Sequence, residues 1–241
     1  MQELLKPIRT ESLKDVFVSR FEHLILSGKL TIGQKLPSER ELALQLGVSR
    51  PVVHEGLVDL AAKGLVSMKP RVGTVVNDFR AEGSLALLNS LFHYHEGRLE
   101  PGIQESLLAM RLLFEVETAR LAALNRKRED LAALTAILEQ EKTVDLQNIA
   151  LLTEIDFKFH HLIALATGNL IYPLLLNSCK DFYTNLSGQF FKNPRVAPEV
   201  FRSHAELVNA IARRNSAEAV ATMRAMLHHG ERHLIAMQGQ A

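Results

Sequence analysis

The chain has 241 residues, 47% hydrophobic and 23% charged, with a formal net charge of +1; this is room for two ordinary cores and the balance of a globular protein, not a disordered one. No apolar run could span a bilayer, the opening MQELLKPIRTESLKDV scatters charges through its apolar positions unlike a signal peptide, and one cysteine, Cys179, allows neither an intramolecular disulfide nor a multi-cysteine zinc site. Through Asp78 there are 11 basic and 9 acidic residues and beyond it 17 and 18, so a nucleic-acid partner must be argued from pattern, because the overall field is weak. A cytoplasmic location with no membrane partner is expected.

From Ser12, the residues Leu13, Val16, Phe17, Phe21, Leu24 and Ile25 recur at three- and four-residue steps, which predicts a helix with one buried face, ended by Gly28. After KLTIGQKLP, Ser38 and Glu41 stand at the spacing of a capping box that opens a short second helix, ELALQL. Gly47 turns the chain, and Ser49 caps a third helix whose first turn tolerates Pro51, because the amides there have no intrahelical partners. That helix runs to about Lys63 and stops at Gly64. The extended runs 65–69 and 74–76 then flank Pro70-Arg71-Val72-Gly73, the pattern of a β-hairpin with a basic tip. Helix, glycine turn, capped helix is the helix-turn-helix plan, here followed by a wing.

LPSERELALQLGVSRPVVHEGLVDLAAKGLV followed by KPRVGTVV resembles the winged helix-turn-helix of the GntR family, over residues 12 to 76. The resemblance implies double-stranded DNA as partner. The N-terminal end of the third helix would enter the major groove, with Arg50 donating to a guanine edge or holding a phosphate and Ser49, beside Pro51, seating the backbone. Arg40 is similar to the family arginine that also reaches DNA, and Arg71 and Gly73 belong to the wing, which probes the minor groove. His54 stands where the family often has arginine, and Arg71 where it often has glycine. For Arg40 and Arg50 the alternative is ordinary surface ion pairing.

Beyond Asp78, FRAEGS has the character of a linker, giving a DNA-binding domain at 1–78 and a second domain at 79–241. Apolar residues of the second domain return at helical spacing over 84–96, 102–124, 128–143, 147–167, 170–192, 198–213 and 216–236, which predicts a mainly α fold, an antiparallel bundle of six or seven helices. Asp156 and His160 are four apart and share a helix face, a spacing at which carboxylate and imidazole can hold one metal ion, and His204 on a later helix can close the site. TEIDFKFHHLIALATGN with FRSHAELVNAIARR resembles the FCD ligand-binding domain of the FadR subfamily. The resemblance implies an aspartate and three histidines around a divalent metal such as zinc or nickel, beside a small carboxylate effector. The family's last histidine falls here on Met226, a poor thioether ligand for such ions. His228, two residues on and about 200° further round an ideal helix, points elsewhere. The site is therefore Asp156, His160 and His204 with open positions, or metal-free.

Arg111 lies in the apolar run LLAMRLLFEVETARLAA, at the family's pocket-side position. It either captures the effector carboxylate or pairs with Glu115 or Glu117. Phe157, Phe182, Tyr183, Phe190 and Phe191 read as core packing or pocket walls, Cys179 as a small buried residue, and His228, His229 and His233 as exposed. The resulting expectation is a ligand-responsive transcription regulator, a repressor, working as a homodimer on a palindromic operator. A metal-dependent enzyme using the bundle site and an architectural DNA-binding dimer without effector are the alternatives.

Overall fold

The computed structural model describes residues 12–94 and 101–238; residues 95 and 96 of the helix expected at 84–96 lie outside them. The chain divides into two compact units, Met1–Gly97 and Arg98–Ala241.

The first unit opens with α1 (Leu13–Leu26), α2 (Glu39–Leu46) and α3 (Arg50–Ala62), followed by β1 (Val66–Lys69) and β2 (Gly73–Val76). Phe17, Phe21 and Ile25 of α1 meet Leu42 of α2 and Val53, Leu57 and Leu60 of α3 in one apolar core. α1 and α3 approach closely because Gly56 has no side chain: a Cβ there would sit 2.3 Å from the Phe17 ring. The capping box of α2 is present, with the Glu41 amide donating to Ser38 Oγ (3.3 Å) and the Ser38 amide to Glu41 Oε2 (2.8 Å). Ser49 departs from expectation. It occupies the N-cap position of α3 with extended backbone, yet its hydroxyl makes no capping hydrogen bond. Pro51 at the second helical position has removed one of the two amides such a cap would use.

β1 and β2 pair antiparallel, Val66 opposite Val76 and Lys69 opposite Gly73. The loop before α2 lies along the outer edge of β2, with the Leu36 amide donating to the Thr74 carbonyl (2.9 Å). At the tip, Arg71 has φ of 63°, a left-handed conformation that costs a non-glycine residue roughly 1–2 kcal/mol.

The boundary between units falls later than the sequence expectation of 78/79. The presumed linker forms a one-turn helix, α4 (Phe79–Glu82), and α5 (Leu87–Tyr94) packs Leu87 and Leu91 into the core of the first unit. Ser90 Oγ donates to Glu22 Oε1 (2.7 Å), which also receives Lys63 Nζ. Gly64, with φ of 78°, lets the chain pass under α4, since a Cβ there would lie 2.0 Å from the Glu82 carbonyl oxygen.

The second unit holds α6 (Pro101–Asn125), α7 (Arg128–Glu141), α8 (Ile149–Ala166), α9 (Tyr172–Ser178), α10 (Lys180–Phe190), α11 (Ala197–Ala212) and α12 (Ser216–Gln238). α8 is the central element, packed by α6, α7, α9 and α10, and Ile155, Phe159 and Ile163 lie in the main core with Ala119, Leu134, Leu207 and Met223. The stretch expected as one helix at 170–192 breaks at Cys179, which ends α9 and begins α10. Ser178 Oγ donates back to the Leu174 carbonyl (2.9 Å) at the break, a local bond that competes with the helical ladder. Cys179 is half-buried rather than buried, and burial pushes its thiol up.

Candidate functional site

On the first unit, Arg40 in the first turn of α2, Arg50 at the start of α3, Ser49, Pro51 and the wing residues Arg71 and Gly73 are all exposed. Among the described residues, Arg40, Arg50 and Arg71 form no ion pair or side-chain hydrogen bond. The surface-pairing alternative for Arg40 and Arg50 therefore has no partner. His54 does: its Nδ1 lies 2.8 Å from Glu39 Oε1, which bridges α2 and α3 one residue from Arg40 and one turn from Arg50. Gly73 has φ of 104°, and the Lys35 side chain lies over it, 3.1 Å from where a Cβ would stand. Lys35 was not singled out in the sequence, because the loop that carries it joins the wing only in the fold.

Asp156, His160 and His204 are brought together. All three are buried, and one ligand atom from each lies within 4.8 Å of the others. His204 Nε2 is 3.7 Å and His160 Nε2 4.0 Å from Asp156 Oδ1. Each imidazole is held from behind by a buried glutamate. His204 Nδ1 donates to Glu141 Oε1 (2.6 Å), and His160 Nδ1 is in close contact with Glu115 Oε2. At His204 the carboxylate at Nδ1 fixes the proton there and leaves Nε2 as a free lone pair turned toward Asp156, whereas the His160–Glu115 contact is an ion pair without hydrogen-bond geometry. Tyr183 Oη donates to the other Asp156 oxygen, Oδ2, at 3.0 Å. Burial, then the neighbouring Asp156, raises the Tyr183 phenol well above its ordinary value, so it stays a donor.

The residues fit a divalent metal. His204 is fully buried and its Nε2 has no hydrogen-bond partner among the described residues, a costly state for a polar atom unless something binds it. Glu115, Glu141 and Asp156 set three buried carboxylates against one neighbouring guanidinium, Arg111. Each imidazole Nε2, now 3.7 or 4.0 Å from Asp156 Oδ1, would have to close by about 0.4–0.7 Å to reach the roughly 3.3 Å ligand separation of a tetrahedral ion with ~2.0 Å bonds.

Of the alternatives drawn from the sequence for Arg111, the pairing with Glu115 is present. Its Nε donates to Glu115 Oε1 (2.5 Å), its guanidinium stacks 4.2 Å from the Tyr183 ring centroid, and it also lines a cavity of about 60 Å3 with Asp156 and His160. Burial alone would lower the Arg111 guanidinium, but Glu115 holds it above its ordinary value. Burial would likewise raise the Glu115 carboxyl, yet Arg111 and His160 bring it down to about 2. The remaining cavity wall is largely apolar, including Leu186, Phe190, Val200 and Met226. Such a cavity has room for a few waters or a short ligand.

Met226 does border the site, 9% exposed. His228 is exposed, as expected, but it also edges the same cavity. His229 and His233 are half-buried against the edge of Phe190, not exposed. Of the aromatic set, Phe157, Phe182 and Phe191 are core and Phe190 is cavity wall. Sequence reasoning missed Glu141 and the role of Tyr183. The only signal for Glu141 was an acidic residue on the last turn of α7, where a helix dipole disfavours one.

Residues 106–229 match the model of the FCD domain, and residues 15–76 match that described as bacterial regulatory proteins, gntR family. The chain is similar to the Glc operon transcriptional activator of Escherichia coli K12, 30% identical over 230 residues that cover 89% of this chain and 88% of that protein. It is also similar to the fatty acid metabolism regulator protein of Proteus mirabilis, 31% identical over 169 residues, 70% and 68% of the two chains. Among solved structures, Lar, which controls the expression of the Listeria monocytogenes agr system, shares the fold with a TM-score of 0.62 at 17% identity, covering 95% of this chain and 99% of that one. No described helix is long and apolar enough to cross a membrane.

Proposed function

Because this chain belongs to the gntR family of bacterial regulatory proteins and carries an FCD domain, and is thus a transcriptional regulator rather than an enzyme, we propose that its DNA binding responds to a small carboxylate held in the bundle. The observation that carries this reading is the convergence of two glutamate-backed imidazoles on Asp156 at the inner side of a cavity that Arg111 also lines. Asp156, His160 and His204 would hold a divalent ion, zinc or nickel by their donor types. Bound there, the ion supplies a positive centre for one carboxylate oxygen. Arg111, with guanidinium donors beyond the one given to Glu115, orients the same carboxylate, and the apolar wall limits the ligand's size.

Two copies of the chain read a palindrome, each with Arg50 at a base edge or phosphate, Arg40 and Ser49 on the backbone and the wing with Arg71 and Gly73 in the minor groove. Effector occupancy must favour one arrangement of the two DNA-reading units over the other if it is to change affinity. A cytoplasmic location follows from that task. We read the chain as a repressor; the E. coli relative is named an activator, and operator position relative to the promoter is what distinguishes the two signs.

The test is selection of bound DNA from a random pool, followed by titration of the selected site with and without short carboxylic acids in the presence of zinc. An inverted repeat whose affinity shifts with an acid, and no longer shifts in Asp156→Ala, is expected. An affinity indifferent to every acid would leave the architectural dimer as the better reading.

A further inference from the structure

The cavity has two chemically different ends. At the inner end Arg111 and the Asp156–His160 pair make a place for negative charge once a cation is held. At the outer edge α12 contributes His228 and Glu231, both bordering the cavity, with His228 Nδ1 3.2 Å from Glu231 Oε2. Their side chains are 46% and 39% exposed, so this edge is the mouth. With Nδ1 committed to Glu231, the imidazole presents Nε2 as an acceptor, and the second oxygen of Glu231 is another acceptor. Among the described residues no lysine or arginine other than Arg111 lines the cavity, and Arg111 belongs to the inner end through Glu115 and Tyr183.

We propose that His228 and Glu231 form the second recognition point of this cavity, selecting a monocarboxylate that carries a hydroxyl or amine donor and rejecting dicarboxylates. The proposal rests on the effector reading above. A ligand whose carboxylate is held at the inner end has its other polar group near the mouth, since the cavity is small, about 60 Å3, and both ends line it. A hydroxyl or amine there donates to Glu231 or to His228 Nε2. A second carboxylate meets only acceptors and a like charge, a repulsion that discriminates by penalising the wrong ligand.

Calorimetric titration of the zinc-loaded full chain with lactate and with malonate, acids of equal carbon count, tests this. Wild type is expected to prefer lactate. Glu231→Gln, an isosteric change at an exposed position, is expected to tighten malonate by about tenfold and weaken lactate by about threefold, the sizes of a removed like-charge contact and a hydrogen bond that has lost its charge. His228→Ala moves lactate in the same direction, and Asp156→Ala abolishes both. If Asp156→Ala abolishes binding while Glu231→Gln and His228→Ala leave the lactate-to-malonate ratio unchanged, the mouth has no selective role and this inference is overturned, while the effector reading stands. If neither acid binds the zinc-loaded wild type, the effector reading fails and this inference with it.

Discussion

The two units of this chain treat polar side chains in opposite ways. On the DNA-reading unit Arg40, Arg50 and Arg71 stand exposed and, among the described residues, without ion-pair partners. In the bundle one set of polar groups is buried and paired: Glu115 with Arg111 and His160, Glu141 with His204, Tyr183 with Asp156. Among the described residues five buried side-chain atoms lack a hydrogen-bond partner, and His204 Nε2, 3.7 Å from Asp156 Oδ1, is one of them. A surface that recognises a polyanion needs several uncommitted cations, which water keeps cheaply solvated. An interior site has no such solvent, so each group left without a partner is costly unless something binds it. On the surface such uncommitted groups are many and each matters modestly, whereas in the core each one is costly to leave unmet.

The contrast can be broken most forcefully at Glu115. Glu115→Ala would leave Arg111 and His160 buried without their shared carboxylate and should lower bundle stability by about 3–5 kcal/mol, read in denaturant unfolding; a loss under 1 kcal/mol would mean that the network is not cooperative. Arg50→Ala should do the reverse. It should weaken binding to the selected operator by about 1–3 kcal/mol while unfolding midpoints stay unchanged, and unchanged affinity in a mobility-shift titration would remove Arg50 from the interface.

Met226→His tests whether the core site is open. An imidazole in place of the thioether should tighten zinc by about tenfold or more, measured by competition with a chelator; no change would mean that residue 226 does not face the ion. The smallest expected effect is at the seam between α5 and α1. Ser90→Ala removes a hydrogen bond to Glu22 and should cost the DNA-side unit about 1 kcal/mol, detectable as faster hydrogen exchange in α5; exchange equal to wild type would show that apolar packing alone holds the helix.

How much of this was legible beforehand follows the range of the interactions. The winged unit is written locally: the Ser38–Glu41 box, Gly47, Gly64 and the hairpin tip each act within a few residues, and they appear in the fold where the chain puts them. Helix spacing likewise gave the bundle, apart from the break at Cys179, where neither glycine nor proline marks the end of α9. The fate of α5 was not legible, because its apolar face is compatible with either core and only the docking of Leu87, Leu91 and Ser90 decides. The grouping of Asp156, His160 and His204 could be assembled from spacing and resemblance. Its supports could not, since Tyr183 reaches Asp156 across 27 residues and Glu141 reaches His204 across 63, and nothing in either local sequence announces the pairing.

The central claim is that the buried triad is a built metal site and not a hydrogen-bonded core. Calorimetric titration of zinc into the chelator-treated full chain tests it directly. One ion per chain is predicted, with binding lost in Asp156→Ala and in His204→Ala and retained in Met226→Ala. A wild-type chain that takes up no zinc, or one whose uptake is the same in all three variants, would contradict it.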